Sequence, residues 1–309
     1  MSIEVIQSSL FSTIQDRGRA GYSRWGVPSS GMMDDHSGRL ANWLAGNKAF
    51  DPLIEICISG GVYRFHEDTI VGITGAIAAC ELNDQKIRMN QSIRVNMGDT
   101  LKIGPVTKGK YLYLAIRGLM PPDKVMGSFS TFLPASIGGI QGRILKEKDR
   151  IGLRSIVGPV DRKVPRELIP HFGSRRELRV IRGPEWRWLT MKQQSEILSA
   201  NFISESRSDR MGIRLNNSEL DKIELMEMKS SPVIPGIIQY SGSGNLILLH
   251  RDAQTIGGYP RLLKVIDADL WRAAQCTANV KVSFKLISMS EAMDHSRYLN
   301  SIYPEGEIE

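Results

Sequence analysis

The stretch RDAQTIGGYPR, residues 251–261, follows directly on the apolar run LILL at 246–249. It places an acid (Asp252), an amide (Gln254), a hydroxyl (Thr255), two glycines (Gly257, Gly258) and a phenol (Tyr259) close together. A surface turn needs only one or two of Gly, Asn, Asp or Pro. The surplus donors and acceptors suit the holding of a polar substrate, and the acid suits proton transfer or the orienting of water. A plainer role for Asp252 is to cap the turn, where Asn would serve as well. On either reading Asp252→Asn is expected to melt within a few degrees of the wild type.

Three further polar, glycine-rich clusters carry similar groups. They are QDRGRAGYSRWGVPSSGMMDD at 15–35 with LIEI at 53–56, GSFSTF with GGIQGRILKEKD within 127–149, and SDRMGIRL at 208–215; IIQ at 237–239 leads into the opening stretch. Taken singly, each has a plain explanation. Glycines in such loops serve turns and close backbone approach. Ser128, Ser130 and Thr131 have no nearby histidine in sequence to act as base, so they read as turn hydroxyls rather than nucleophiles. Arg210 and Arg214 suit salt bridges as well as anion clamps. GPVTKGK at 104–110 fits the P-loop spacing, but Tyr111 stands where Ser or Thr must hold magnesium and a strand follows, so it reads as a hairpin turn. GSGN at 242–245 lacks the third glycine of a dinucleotide fingerprint. Lys229 of Met228-Lys229 lacks the flanks of a biotin-attachment site and reads as a surface lysine.

The elements that must position these groups are mostly strands. Residues 68–75, 93–104, 110–118, 178–183, 245–250 and 280–288 are short, rich in Val, Ile, Leu and Tyr, and bounded by Gly, Asn or Asp. Met97-Gly98-Asp99 reads as a hairpin turn. Helices are expected over 34–47, with an Asp start and Gly46 as a stop, and over 184–198, 267–275 and 290–299. Few helices among many spaced strands predict barrels or sandwiches rather than a parallel α/β sheet. The Pro- and Arg-rich piece 158–176 reads as an exposed linker, and PEGEIE at 304–309 as a frayed acidic tail.

Composition excludes several classes. At 309 residues, 41% hydrophobic and 24% charged, the chain is that of a globular protein of about two domains. The apolar run at 70–80 is half the ~20 residues of a membrane span, and the N-terminus lacks a secretory pattern, so a cytoplasmic protein is expected. Cys57, Cys80 and Cys276 are widely spaced and read as buried free thiols; neither they nor the scattered histidines have metal-ligand spacing. The net charge is +7, and residues 143–187 alone hold a matching surplus of Lys and Arg. Without interleaved aromatics this stripe suits solvent, an anionic substrate or an acidic partner better than nucleic acid.

Taken together, QDxGRxG, GVPxSGxMD, IE, GSxST, GGxxGRxL, SDRMGxRL, IQ and DxQTxGGYP, in this order across about residues 3–287, resemble one family. It is the 5-oxoprolinase C-subunit family, also called allophanate hydrolase subunit 2 or biotin-dependent carboxyltransferase-like. It includes the antagonist of the sporulation-kinase inhibitor and the carboxyltransferase part of urea carboxylase. The resemblance implies a mainly β protein of two cyclophilin-like β-barrel domains with a few short helices. The domains would be 1–172 including the linker and 173–288, with a C-terminal helix and tail at 289–309. The chain departs from the pattern at Asn245-Leu246, at Ala278-Asn279 and at Arg117.

The resemblance also implies a function. Relatives act with the A and B subunits of the same enzyme in ATP-dependent opening of 5-oxoproline to L-glutamate. On that reading Arg19, Arg143, Arg210 and Arg214 clamp anionic charge, and Asp16, Asp34 and Asp252 act as acids, bases or orienting groups. Gln15, Gln254, Thr255 and Tyr259 position an amide or carboxylate, with Tyr259 counted among the catalytic candidates. Glu55 is a buried partner for an arginine. Ser128, Ser130, Thr131, Asp209, Gln239, Gly257 and Gly258 complete the substrate-binding set. The chain would be inactive alone, would bind no metal or cofactor by itself, and would depend on ATP used by the complex. Two alternatives stay open. One is a regulator that antagonises a kinase inhibitor resembling the B subunit. The other is a component moving a carboxyl group from carboxybiotin, supplied by another protein, to a urea-like substrate.

Overall fold

A computed structural model describes residues 2–156, 158–218, 220, 222–226, 228–241 and 244–303. The expected tail at 304–309, and residues 242 and 243 of GSGN, lie outside the described residues. The chain forms two compact units, one of residues 2–19 and 30–172, the other of residues 20–29 and 173–303. Both are mainly β. No helix among the described residues is long and apolar enough to cross a membrane.

The first unit is a ten-stranded sheet. Its strands are β1 (Ser2–Gln7), β2 (Ser12–Gln15), β3 (Leu53–Cys57), β4 (Val62–Phe65), β5 (Thr69–Leu82), β6 (Gln85–Ile87), β7 (Ser92–Val95), β8 (Thr100–Ile116), β9 (Leu119–Met120) and β10 (Arg150–Leu153). The order is β2-β3-β8-β4-β1-β10-β9, with β5 against β8 and carrying β6 and β7. Tyr63, Phe65, Ile73, Leu112 and Leu114 are fully buried in its core. The apolar run of β5 has a direct cause: the sheet core covers one face and α1 (Asp35–Ala45) the other. A Cβ at Gly72 would collide with the Ala41 carbonyl, so glycine sets how closely the helix lies on the strand.

Two expectations change here. GPVTKGK is not a hairpin turn but the middle of β8. Its partner β5 absorbs the irregular backbone through register shifts between Gly75 and Cys80, so the Gly and Pro turn signals end as bulges. The expected linker is a strap on the first unit as far as Phe172. Val160, Val164 and Leu168 are buried. Ser92 N donates to Arg162 O at 2.8 Å, and Val164 N to Asn90 O at 2.9 Å. His36 Nε2 donates to Leu168 O at 2.8 Å. Burial lowers the His36 pKa, which keeps the ring neutral in that contact.

The second unit holds β11 (Arg175–Arg182), β12 (Phe202–Ser204), β13 (Gly212–Asn216), β14 (Ser231–Pro232), β15 (Ile237–Tyr240), β16 (Leu246–Leu249), β17 (Ile256–Gly257), β18 (Arg261–Val265) and β19 (Lys281–Leu286). Seven of them close a barrel in the order β11-β18-β15-β16-β13-β12-β19, sealed by a parallel β19–β11 pair. Closure removes the unpaired edges that an open sheet exposes. Leu178, Val180, Phe202, Leu215, Ile238 and Leu263 are among the residues that fill it.

The helix expected over 184–198 divides into a 3-10 turn, Pro184–Trp188, and α2 (Met191–Ser199). Thr190 starts α2 afresh by a reciprocal cap with Gln193. α3 (Leu270–Ala274) follows a 3-10 turn, and α4 (Met289–Ser301) is capped by Ser288. Cys57, Cys80 and Cys276 are buried free thiols.

Candidate functional site

In the first unit the end of β2 delivers Gln15 and Asp16 into the loop 128–139. The Asp16 carboxylate accepts from Ser128 Oγ and Ser130 Oγ, both at 2.6 Å, from Phe129 N at 2.7 Å and from Gly18 N at 2.8 Å. Asp16 N donates back to Ser130 Oγ at 2.9 Å. A carboxylate has about four acceptor sites. Three of the donors meet at Oδ1 and Phe129 N takes Oδ2, around a residue 7% exposed, so the carboxylate is engaged chiefly in holding this loop. Asp16, expected from sequence as an acid or base, clasps two distant segments in the fold.

The motif glycines serve that clasp. Gly138 and Gly139 have φ of 76° and 63°. A Cβ at Gly138 would collide with Ser130 O and Arg19 Nη2, and one at Gly139 with Thr131 Oγ1. Arg19, 2% exposed, donates through Nη2 to Ser130 O. Gln15 Nε2 donates to Thr13 Oγ1 at 3.0 Å and to Thr131 O at 3.2 Å. Gln15 Oε1 and Thr131 Oγ1 are buried with no hydrogen-bond partner among the described residues. Gln15, Asp16, Arg19, Ser128, Ser130 and Thr131 are thus one cluster.

Asp34 and Glu55 form another. Asp34 is the N-cap of α1, accepting from Ser37 N at 2.8 Å and Ser37 Oγ at 2.6 Å. Glu55 Oε2 accepts from Met33 N and from Tyr113 Oη, each at 2.8 Å, and Tyr113 Oη accepts from Asp34 N at 2.7 Å. Burial raises the Tyr113 pKa well above its ordinary value, with the Glu55 and Asp34 charges adding to the effect. The phenol therefore stays protonated and acts as a donor. The Glu55 Oε2 is thus engaged by a backbone N–H and this phenol. Arg143 stands apart in a two-pronged pair with Asp149, at 2.7 and 2.8 Å. A guanidinium so engaged is a loop brace rather than an anion clamp.

In the second unit Arg210 Nε donates to Asp252 Oδ2 at 2.7 Å and Nη2 to Oδ1 at 3.1 Å. Asp252 N also donates to Arg210 O at 2.9 Å. Asp252 is therefore the counter-ion of a buried arginine, neither a turn cap nor an open base. The sequence expectation that Asn would be tolerated there changes, because Asn removes the charge of one member of a buried ion pair. Asp209 Oδ1 accepts from Met211 N and Gly212 N at 2.8 and 3.2 Å, a side-chain turn. The Arg214 side chain points outward from β13, while its backbone N donates to Ser208 Oγ at 3.1 Å.

The opening stretch packs on the outside of the barrel. Thr255 O accepts from Val233 N at 3.0 Å, and Gly257 pairs with Ser231. A Cβ at Gly257 would lie 2.7 Å from Gln239 Nε2, which explains the first glycine of the pair. Gln239 Nε2 donates to Tyr259 O at 3.2 Å. Tyr259 is 47% exposed; with Gly258, Pro260, Tyr240 and Met228 it lines a groove of about 620 Å³. Gln254 is exposed.

Sequence reasoning missed the root of this loop. Arg261 N and Nε both donate to Glu185 Oε2 at 2.9 Å, and Nη2 donates to Oε1 at 2.8 Å. Hydrogen bonds from Arg261 hold the Glu185 carboxyl below its ordinary value. Glu185 reads in sequence only as an acid near a helix start, and nothing local points to a partner 76 positions away.

The four clusters leave recognition groups rather than free acids. Each candidate carboxylate is already bonded, whereas Gln15 Oε1, Thr131 Oγ1, Gln254 and Tyr259 retain polar capacity. Within each unit taken by itself, such groups can engage an amide or carboxylate. Among the described residues no group of three or more His, Cys, Asp or Glu is placed to hold a metal ion.

Comparison with known proteins places these units. Residues 25–286 match the family model described as "Carboxyltransferase domain, subdomain A and B". The chain is 32% identical over 305 residues to the C subunit of 5-oxoprolinase from Escherichia coli, covering 97% of each chain. It is 33% identical to the Haemophilus influenzae protein of the same name, covering 97% of this chain and 96% of that one. The solved urea amidolyase of K. lactis is 28% identical with a TM-score of 0.89, covering 100% of this chain. The chain spans 20% of that protein's length. The two β units, the clusters they carry and a family match over most of the sequence lead to one conclusion: this chain belongs to the carboxyltransferase domain family, subdomain A and B.

Proposed function

We propose that this chain is the C subunit of an ATP-dependent 5-oxoprolinase that opens the ring amide of 5-oxoproline to L-glutamate together with the A and B subunits. The observation that carries this reading is the end-to-end match, 97% of both chains, to a relative named as the C subunit of 5-oxoprolinase. A ring amide is resonance-stabilised, so its hydrolysis needs activation, which ATP supplies by phosphorylating the amide oxygen. What this chain would contribute is placement and charge stabilisation. Gln15 and Thr131 bring buried oxygens unpartnered among the described residues, and Tyr259 and Gln254 bring accessible polar groups. The bonded state of Asp16, Asp34 and Asp252 supports a split of labour in which the proton-transferring group comes from another subunit.

A second reading, carboxyl transfer from carboxybiotin to a urea-like nitrogen, is favoured by the fold likeness to the K. lactis urea amidolyase. Purification of the tagged chain from its native host separates the two. Recovery of the A and B subunits with the chain is expected; recovery of a biotin carboxylase in their place overturns the first reading.

A further inference from the structure

A pocket of about 620 Å³ opens on the second unit beside the ends of β12, β13 and β19, lined by residues other than those of the groove at Tyr259. Its construction is firm. Ser204 Oγ accepts from Val280 N at 3.0 Å, and Asn279 N donates to Ser204 O at 2.8 Å. Asn279 itself is held in the left-handed region, φ 65°, which Asn tolerates better than most residues.

Among the described residues the lining carries two cations, Arg207 and Lys281, against one acid, Glu205. Neither cation has an ion-pair partner among the described residues, in contrast to Arg179, Arg210 and Arg261 of the same unit. Asn216 and Asn279 line the same pocket, and their side-chain amides make no hydrogen bond to described residues. A lone exposed lysine is ordinarily just solvated. Here a guanidinium fork, an ammonium and uncommitted amide N–H donors line one concavity, the donor set that oxyanions select.

We propose that this pocket binds a small oxyanion-bearing metabolite, the Arg207 guanidinium and Lys281 ammonium holding its anionic groups and the Asn216 and Asn279 amides donating to them. The inference does not depend on the oxoprolinase reading, since it concerns binding by the chain alone.

The test is isothermal titration of the full chain with sodium pyrophosphate and, separately, with L-glutamate, ionic strength held constant with sodium chloride. Saturable binding of one probe is expected, and which one binds assigns phosphate or carboxylate. Arg207→Ala with Lys281→Ala should lower that affinity at least about tenfold, the order expected for losing charge-assisted hydrogen bonds. Asn279→Asp, which keeps the turn and adds a negative charge, should also weaken it. Lys285→Ala, on the outer face of β19, should not. Unfolding midpoints near wild type confirm that the variants fold. No saturable binding of either probe, or equal binding by the doubly substituted chain, overturns the proposal.

Discussion

Arg210 and Asp252, 42 positions apart in sequence, form a buried ion pair with Nε 2.7 Å from Oδ2 and side chains only 7% and 5% exposed. At such depth the charge of the carboxylate offsets desolvation of the guanidinium. Asp252→Asn should therefore destabilise the second unit by about 3–5 kcal/mol, the range for breaking one member of a buried pair. Replacing both by apolar residues, Arg210→Met with Asp252→Leu, should cost less than the single change. Urea unfolding of the wild type and both variants checks this. A near-neutral Asp252→Asn would return the residue to a turn cap.

The Asp16 clasp predicts a comparable effect in the first unit. Asp16→Asn puts an NH₂ where an oxygen now accepts, leaving one or more buried donors unpaired at about 1–3 kcal/mol each. Gly138→Ala should be at least as damaging, because a side chain there meets both Ser130 O and Arg19 Nη2. Amide exchange at Gly18 and Phe129 should accelerate in Asp16→Asn. Unchanged protection would show that these bonds do not hold the loop.

Acid should weaken the second unit through Glu185 and Asp269. Arg261 lowers the Glu185 pKa from its ordinary 4.5. Burial pushes Asp269 up, but the hydrogen bonds and charge of Arg179 outweigh it and leave it below 3.8. A folded-state pKa below the unfolded value means stability fully present above the unfolded pKa and lost as pH falls through the folded one. Stability should thus be level above about pH 5 and decline below about pH 4. Glu185→Gln should flatten that decline; an equal acid slope in wild type and variant would contradict the assignment.

At the outer loop, Gly257→Ala should disturb Gln239 without unfolding the barrel, since the added methyl lies 2.7 Å from Gln239 Nε2 while the core strands are untouched. The expected reading is a shifted Gln239 side-chain amide resonance with an unfolding midpoint within a few degrees of wild type. A resonance that stays in place would mean that the loop yields instead.

Much of the fold is legible locally. Asp34 and Gly46 bracket α1 because a cap and a left-handed stop are short-range chemistry. The strand segments 178–183, 245–250 and 280–288 lie on β11, β16 and β19 because alternation records which face is buried. GPVTKGK misleads because its turn residues are absorbed by bulges against β5, a partner that local pattern cannot reveal. Residues 158–172 mislead because three buried side chains spaced four apart suffice to bind an otherwise polar strap. At the candidate site the residue types are readable and their roles are not. Whether Asp16 or Asp252 is an open base or a committed acceptor depends on groups tens of residues away, and so does the Glu185–Arg261 pair.

The most direct measurement is glutamate release from 5-oxoproline by the A and B subunits, with and without this chain, in the presence and absence of ATP. The oxoprolinase reading predicts ATP-dependent release only when all three are combined, and none from this chain by itself. Full turnover by the A and B subunits alone, or ATP-dependent carboxylation of urea in place of glutamate release, would contradict it.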